Sequence, residues 1–404
     1  MRKTYDVIVA GHICFDVTPD MTNMGRDFAK ALIPGNLLNV GPATVSTGGA
    51  VSNTGLALLK LGIKTGLMGK VGTDFFGRAI LEYLRTFGIK SGMRVIKGEH
   101  SSYTLVIAPP GVDRIFLHCP GANDTFTIED IDFDLVARAK VFHFGYPPAM
   151  RAVYAHDGAE MRRIFEKAKA AGAVTSLDMT MPDPGSDAGR VNWDRALKRI
   201  LPFVDLFLPS AEESLFMLRP DLFARRRREA GNDAMVDYIR AQDLSEVADK
   251  MLAYGARIVM LKCGHRGLYL RTANARSLQA IAPALADLRN WADRELWEPS
   301  YHVERVLSAT GSGDSAIAGF LAAFVRQRPA EECLKFACAV GSFNVTAYDS
   351  VSGVRSWEET ARAIRRGWKK NPLNLDGKNW RFDCQRATWI SCRDAVLGAH
   401  GCAR

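Results

Sequence analysis

The chain has 404 residues, of which 47% are hydrophobic and 24% are charged, a balance that is ordinary for a globular enzyme. Its 53 Lys and Arg residues exceed its 44 Asp and Glu residues, which gives a formal net charge of +9. A basic excess favours anionic partners in general but identifies none. The sequence never approaches the roughly 18 consecutive apolar residues of a membrane-spanning helix, which argues against an integral membrane protein.

The cysteines and the amino terminus both favour a reducing, cytoplasmic location. The eight cysteines form no C-x-x-C pair and most lie inside apolar runs, so we expect neither disulfides nor a cysteine metal site. The opening sequence MRKTYDVIVAGH contains an apolar run that Asp6 interrupts and that is too short for a signal peptide. It predicts a buried first strand instead.

Strand-like and helix-like segments alternate along the chain. VIVA at 7–10 predicts a strand, and VSNTGLALLKLG predicts a helix that Gly62 closes with a left-handed cap. The later segments, in order, are KTGLMGKVG (strand), DFFGRAILEYLRTFG (helix), AVTSLDM and VDLFLPS (strands), AEESLFML (helix) and ARIVMLKCG (strand). This alternation predicts an α/β fold, a doubly wound and mostly parallel sheet with helices on both faces. Ligands bind such sheets beyond the carboxyl ends of the strands.

One region departs from the alternation and predicts a small β-sheet lid. Residues 101–121, SSYTLVIAPPGVDRIFLHCPG, contain two strand-like runs around a Pro-Pro-Gly-Val-Asp turn, which predicts an antiparallel hairpin. Residues 13–18 and about 36–47 are expected to pair with it. The lid therefore comprises these two segments together with about 99–121, and it projects from the carboxyl edge of the main sheet.

The remaining sequence predicts one main domain over 1–370 and a C-terminal extension over 371–404, where the periodicity fades. Residues 273–299 interrupt the main domain and predict an insertion. The run from Arg225 to Arg228 favours the solvated face of a surface segment, with nucleic-acid contact as the alternative.

The sequence ATGSGD at 309–314 brings a tight turn and an acid to the start of an apolar helix-like run. One interpretation makes Asp314 a helix cap, which contributes about 1 kcal/mol. The other makes the glycines a phosphate cradle, since helix-start N–H groups are unpaired, and makes Asp314 the base that accepts a hydroxyl proton. The spacing alone leaves both interpretations open.

A second segment favours the catalytic interpretation. Residues 46–77, STGGAVSNTGLALLKLGIKTGLMGKVGTDFFG, carry Gly48-Gly49 before a helix with Asn53 on its first turn. Together with ATGSGD, this segment resembles the two signatures of the ribokinase-like (PfkB) carbohydrate kinase family. The resemblance covers roughly residues 4–366 in the family's order and spacing, and as a pair the motifs are far more specific than one Gly-rich loop.

The resemblance implies a role for each matching residue. Asp314 would be the catalytic base, with Gly311, Ser312 and Gly313 as the anion hole for the γ-phosphate of ATP. The residues implied to bind the acceptor are Asp16 (in GHICFD), Gly48, Gly49 and Asn53. Those implied to lie beside ATP are Gly264 and Gly267 (in LKCGHRG) and Thr310. Glu213, in PSAEE, would support Mg²⁺ through water.

Several positions depart from the family pattern, and Lys262 is one of them, since a Thr is common there. Ser308 stands where the second signature has an Asp near a monovalent cation, which argues against potassium activation. Ser210 replaces the Asn that precedes the motif Glu, and it bears on the Mg²⁺ water network. Gly145 stands near the place of a substrate-binding Glu in ribokinases, which argues against ribokinase activity itself.

The sequence thus predicts an ATP- and Mg²⁺-dependent phosphotransferase that acts on a primary hydroxyl of a sugar or sugar derivative. A nucleoside kinase of the same fold is the alternative, with Phe15, Tyr103, Phe116 and Tyr146 as candidate contacts for the base. A non-catalytic sugar- or nucleotide-binding protein is a further alternative, although a pure binder would not need Asp314. The resemblance also implies a homodimer formed through the lid, and we expect no nucleic-acid or membrane partner.

Overall fold

The computed structural model describes residues 3–24, 33–90, 92–109, 115–375 and 378–395. Within these ranges, fifteen strands form an eleven-stranded sheet and a four-stranded sheet. The strands are β1 (Tyr5–Gly11), β2 (Cys14–Pro19), β3 (Ala43–Gly48), β4 (Thr65–Gly72), β5 (Met93–Ile96), β6 (Tyr103–Ile107), β7 (Ile115–Cys119), β8 (Ala139–Gly145), β9 (Val174–Leu177), β10 (Leu206–Phe207), β11 (Ile258–Lys262), β12 (Leu268–Thr272), β13 (Glu295–Glu298), β14 (Trp380–Asp383) and β15 (Thr388–Ser391).

Thirteen α-helices lie in the same part of the chain. They are α1 (Ala50–Lys60), α2 (Phe75–Thr86), α3 (Phe133–Ala137), α4 (Arg151–Ala170), α5 (Trp193–Ile200), α6 (Ala211–Leu218), α7 (Pro220–Ala230), α8 (Ala241–Ala253), α9 (Ala275–Leu278), α10 (Leu288–Trp291), α11 (Ser312–Val325), α12 (Ala330–Asn344) and α13 (Trp357–Arg365). Helix α4 is broken at residues 155–158, where the backbone leaves helical geometry.

The large sheet has the order β14-β15-β13-β12-β11-β10-β9-β8-β1-β4-β5. The seven strands from β11 to β5 are parallel, and the four at the other edge are antiparallel. Alternate residues of β1 serve opposite faces: Val7 and Val9 enter one apolar cluster, Ile8 and Ala10 the other. The predicted doubly wound α/β fold, with helices covering both faces, is confirmed.

The local signals in the sequence also hold in the structure. VIVA lies in β1, and Gly62 follows α1 with a φ of +73°. Asp74 caps α2, because its side chain accepts a hydrogen bond of 2.8 Å from the Gly77 amide. Each of these features depends on residues only a few positions away, so the sequence predicts it without the tertiary structure.

The four-stranded sheet is the predicted lid, with the order β3-β2-β6-β7. Strands β6 and β7 form the predicted antiparallel hairpin, with Tyr103 opposite Cys119. The Pro-Pro-Gly-Val-Asp turn spans 109–113, and all of it but the first residue lies outside the described residues. The segment 36–47 contributes a strand only from Ala43 onward.

The two segments set apart in the sequence both supply strands to the large sheet. Residues 273–299 contain β13, and β15 of the C-terminal segment pairs with it, Trp297 opposite Trp389. The seven described cysteines are free thiols, and no helix of the described ranges is long and apolar enough to cross a membrane. The domain limits at 370 and 371 stay a prediction.

The arginine run lies on α7, and one of its members does not match the predicted solvated face. Arg226 is 2% exposed, and it pairs with both carboxylate oxygens of Asp243 at 2.8 and 2.9 Å. It also donates to Glu229 at 2.6 Å. Buried guanidinium groups require such pairing, so Arg226 is a structural residue.

Candidate active site

Asp314 lies in the first turn of α11 and is 3% exposed. Three side chains donate hydrogen bonds to its carboxylate. Asn53 Nδ2 and the Tyr146 hydroxyl reach Oδ2 at 3.0 and 2.7 Å, and Thr54 Oγ1 reaches Oδ1 at 3.2 Å. Helix α1, the end of β8 and the start of α11 therefore converge on one carboxylate.

Burial raises the pKa of Asp314, although hydrogen bonds from Tyr146 and Asn53, and the charge of Lys262, oppose the rise. A carboxylate with a raised pKa is a stronger base than one in water. Tyr146 adopts the left-handed region, with a φ of 65°, which is uncommon for a bulky residue. Such strain clusters at functional sites, and here it accompanies the hydroxyl contact with Asp314.

The turn before α11 has the geometry of an anion cradle. Gly311 is the N-cap with a φ of 70°, and a Cβ there would collide with Ser350, so only glycine fits. No side chain caps the helix, and its first N–H groups have no intrahelical acceptors. The Thr310 carbonyl accepts a bond of 2.9 Å from Asn344, which holds the turn in place.

A second carboxylate cluster lies beside this cradle. The Lys262 ammonium pairs with the fully buried Asp178 and donates to the Leu208 carbonyl at 2.8 Å. Its side chain packs on Gly313, whose Cβ position lies 3.4 Å from Lys262 Cδ. Burial raises the pKa of Asp178 to about 8 against the opposing charge of Lys262.

Glu213 joins this cluster through charge and through its helix. It forms a capping box with Ser210 at the start of α6, and the Ser210 amide donates to its carboxylate at 2.7 Å. Burial raises the pKa of Glu213, Lys262 opposes the rise, and Asp314 adds to it. The charge of Asp314 therefore raises the pKa of Glu213, and the charges of both raise the pKa of Asp178.

The residues expected to bind the acceptor meet where the lid joins the core. Asp16 on β2 pairs in register with Ser46 on β3, and a Cβ at Gly48 would collide with its carboxylate. Gly49 is the N-cap of α1, and a Cβ there would collide with the His12 ring. Because Asn53 on the same helix contacts Asp314, α1 links the lid junction to the anion cradle.

Gly264 and Gly267 lie in the tight turn between β11 and β12. Gly267 packs against the backbone of residues 298–300, where any Cβ would collide. The structure connects this turn to the cradle through Lys262, the last residue of β11, whose side chain packs on Gly313. Nearby, His302, Leu307, Phe343 and Trp368 line a cavity of about 660 Å³.

The carboxylates beside the cradle are the candidate ligands for a magnesium ion. No group of three or more His, Cys, Asp or Glu side chains in the described residues could hold a metal directly. Asp178 Oδ2 is nevertheless buried without a hydrogen-bond partner among the described residues. The charges of Glu213 and Asp314 both act on Asp178. Oxygen ligands of this kind suit Mg²⁺, which keeps several waters when it binds proteins.

Sequence reasoning missed part of this site. Tyr146 was considered only as a contact for a nucleoside base, Lys262 only as a departure from a common Thr, and Thr54 and Asp178 not at all. The available signal was position: Tyr146, Asp178 and Lys262 all stand at the carboxyl ends of parallel strands. Which of them reach Asp314 depends on side-chain packing that one sequence does not contain.

Comparisons with known proteins agree with the fold. Residues 6–357 match the family described as "pfkB family carbohydrate kinase". Fructokinase-2 of Solanum lycopersicum is 22% identical over 89% of this chain and 96% of its own length. A 5-dehydro-2-deoxygluconokinase of Geobacillus kaustophilus is 22% identical over 86% and 90%.

Solved structures extend the likeness to three dimensions. A ribokinase of Arabidopsis thaliana, complexed with ribose and ATP, superimposes with a TM-score of 0.66 at 18% identity, over 90% of this chain and 99% of that one. A putative ribokinase II of E. coli, in complex with ATP and Mg²⁺, gives 0.64 at 20% identity over the same shares. At these identities the structures establish the shared fold.

Proposed function

Because the chain belongs to the pfkB family of carbohydrate kinases, we propose that it transfers the γ-phosphoryl group of Mg-ATP to a primary hydroxyl of a sugar or sugar derivative. The observation that carries this proposal is the buried carboxylate of Asp314 at the glycine-lined start of α11. A base and an anion cradle within one helical turn are the two groups that phosphoryl transfer to an alcohol requires.

Asp314 acts as the general base. A primary alcohol is a poor nucleophile at neutral pH, so removal of its proton by a positioned carboxylate is worth roughly 10²–10⁴-fold in rate. Asn53 and Tyr146 both donate to the Oδ2 atom of this carboxylate, and Thr54 donates to its Oδ1. The bonds fix its orientation, while burial keeps its basicity high.

The turn of Gly311, Ser312 and Gly313 binds the transferring phosphoryl group. Its backbone N–H groups and the positive end of the α11 dipole face charge that develops on the phosphoryl oxygens. Lys262, packed on Gly313, brings a cation to the same place. Stabilisation of this kind contributes about 10²–10³-fold.

Mg²⁺, when bound, offsets the charge of the triphosphate and aligns it for in-line transfer. Glu213 and Asp178 are the residues that would hold its water ligands. The nucleotide would lie along the turn of Gly264 and Gly267, with Thr310 beside it. Ser308, which stands in place of the Asp near a monovalent cation, argues against potassium activation.

The acceptor would lie between Asp16, Gly48 and Asn53, under the lid. Relatives named fructokinase, and a neighbour determined with ribose, support a sugar acceptor over a nucleoside. The lid also exposes apolar side chains, among them Val45, Ile115 and Leu117. They support a homodimer through the lid, which sedimentation of the purified chain tests directly.

The deciding experiment measures ADP release from Mg-ATP with a panel of sugars, sugar acids and nucleosides, for the wild type and Asp314→Asn. We expect acceptor-dependent ADP release that falls at least about 10²-fold in the variant, since the amide cannot take a proton. ATP binding and thermal stability should be nearly unchanged. Near-normal turnover in the variant would remove Asp314 from the role of base.

A further inference from the structure

His12, which follows β1 at the lid junction, makes no ring hydrogen bond to the described residues. It is 4% exposed, and neither ring nitrogen has a partner among the described residues. Each buried polar atom left without a partner costs about 1–3 kcal/mol. An imidazole that leaves both nitrogens unpaired is therefore poorly explained by packing, which a phenyl ring would serve better.

The surroundings of His12 place it in the acceptor site. Its ring lies 6.1 Å from the ring of Tyr146, whose hydroxyl contacts Asp314 at 2.7 Å. It packs against Gly49, at the start of the helix that carries Asn53. The ring centre of His118, on the lid strand β7, is 5.3 Å from that of His12.

The two imidazoles come from different parts of the fold. His12 belongs to the core and His118 to the lid, where Thr104 Oγ1 lies 3.1 Å from His118 Nδ1. A molecule bound between lid and core would therefore meet both rings at once. Burial lowers the pKa of His12 to about 3, so the ring is neutral at pH 7. A neutral imidazole offers one N–H donor and one lone pair, the complement of a hydroxyl group.

The charge of the junction points in the same direction. Burial raises the pKa of Asp16, and the only groups that oppose the rise are the uncharged Cys14 and Thr104. Asp16 and Asp314 thus bring two carboxylates to the acceptor side with no cation of the described residues beside Asp16. These two carboxylates would repel a carboxylate or a phosphate group on the acceptor.

We propose that His12 and His118 form an imidazole pair that hydrogen-bonds an acceptor hydroxyl and, together with Asp16, restricts the acceptor to uncharged sugars. This inference rests on the proposed function and makes it narrower, since sugar acids and sugar phosphates are excluded. His12 is a specificity-determining residue in this scheme, and Asp314 remains the base.

The test compares acceptors and variants in one ADP-release assay. The acceptors are D-fructose, D-gluconate and fructose 6-phosphate, each at fixed Mg-ATP. We expect kcat/KM for the neutral sugar to exceed that for either anion by at least about 10²-fold, the usual penalty for an unpaired buried charge. Equal or better turnover of an anionic acceptor would overturn the proposal.

The variants separate recognition from packing. His12→Phe keeps the ring and removes both nitrogens, so the acceptor KM should rise at least about 10-fold while the ATP KM changes less than 2-fold. The melting temperature should stay equal or rise, because two unpaired polar atoms are lost. His12→Asn, which keeps a donor and an acceptor, should fall between wild type and His12→Phe. An unchanged acceptor KM in His12→Phe would overturn the proposal.

Two further variants complete the design. His118→Phe should raise the acceptor KM, and its effect should not add to that of His12→Phe if both rings hold one hydroxyl. His100→Phe, at an exposed lid-hinge histidine, is the matched control and should leave both KM values unchanged. Failure of this inference would leave acceptor-dependent ADP release intact, whereas failure of the proposed function would abolish that release with every acceptor.

Discussion

Two of the buried charge clusters in the described residues, one around Arg294 and one around Asp314, are built in opposite ways. Arg294 is fully buried, and it donates to both oxygens of Asp394 at 3.1 and 2.9 Å and to Glu331 at 2.6 Å. Around Asp314, by contrast, Asp178 Oδ2 and Asn53 Oδ1 are buried without hydrogen-bond partners among the described residues.

The same contrast appears in the acidities. Although burial alone would raise it, the charge and hydrogen bonds of Arg294 lower the pKa of Glu331. For Asp314, burial prevails over its hydrogen bonds and the pKa rises. A satisfied ion pair fixes structure, whereas a carboxylate with a raised pKa and unpaired neighbours is ready to exchange protons and bind ligands. The first cluster connects the C-terminal segment to α12, and the second belongs to the proposed catalytic centre.

Among the variants that test this comparison, Arg294→Met has the largest expected effect. Removal of the guanidinium takes a charge partner from the buried carboxylates of Asp394 and Glu331, so we expect the free energy of unfolding to fall by about 3–5 kcal/mol. Urea denaturation measures the change. The matched control adds Asp394→Asn and Glu331→Gln to the same variant and should recover most of the loss, because no charge is then stranded. A loss below about 1 kcal/mol in Arg294→Met would show that this cluster is not structural.

Lys262→Met tests the catalytic cluster in the same way and should cost less near neutral pH. Asp178, whose pKa is already raised to about 8, can take up a proton instead of remaining charged. Because its pKa in the folded state is above that of the unfolded chain, the stability is present at low pH and is lost as the pH rises through about 8. Between pH 6 and pH 9 the variant should therefore lose more of its free energy of unfolding than the wild type loses, which denaturation at the two pH values measures. Equal losses in the variant and the wild type would contradict the coupling of Asp178 to Lys262.

Tyr146→Phe has the smallest expected effect, since it removes a single hydrogen bond to Asp314. The Tyr146 hydroxyl lowers the pKa of Asp314, so its removal should raise that pKa further. The base then stays protonated to higher pH, and the acidic limb of the kcat/KM profile should move upward in pH. We expect turnover to fall about 10-fold at pH 6 and less at pH 8. An acidic limb that does not move would separate Tyr146 from the base.

Much of the fold was predictable because its signals are local. The alternation of strands and helices, the cap at Asp74 and the left-handed Gly62 each follow from residues within a few positions. The two signatures also single out Asp314, the glycines and Asn53, and the structure brings Asn53 to Asp314. Register and pairing are different, because β13 and β15 meet from positions about ninety residues apart, and the sequence does not encode that contact as a pattern.

The sequence by itself determined the α/β class, the lid hairpin and the pair of signatures that identify a carbohydrate kinase. The tertiary structure alone brings Tyr146 and Thr54 to the carboxylate of Asp314 and pairs Lys262 with Asp178. It also sets His12 beside His118, with no partner for either His12 ring nitrogen among the described residues. The physical reason is range. Periodicity and turn chemistry act over a few residues, whereas burial and charge pairing depend on atoms that the chain brings together from distant positions.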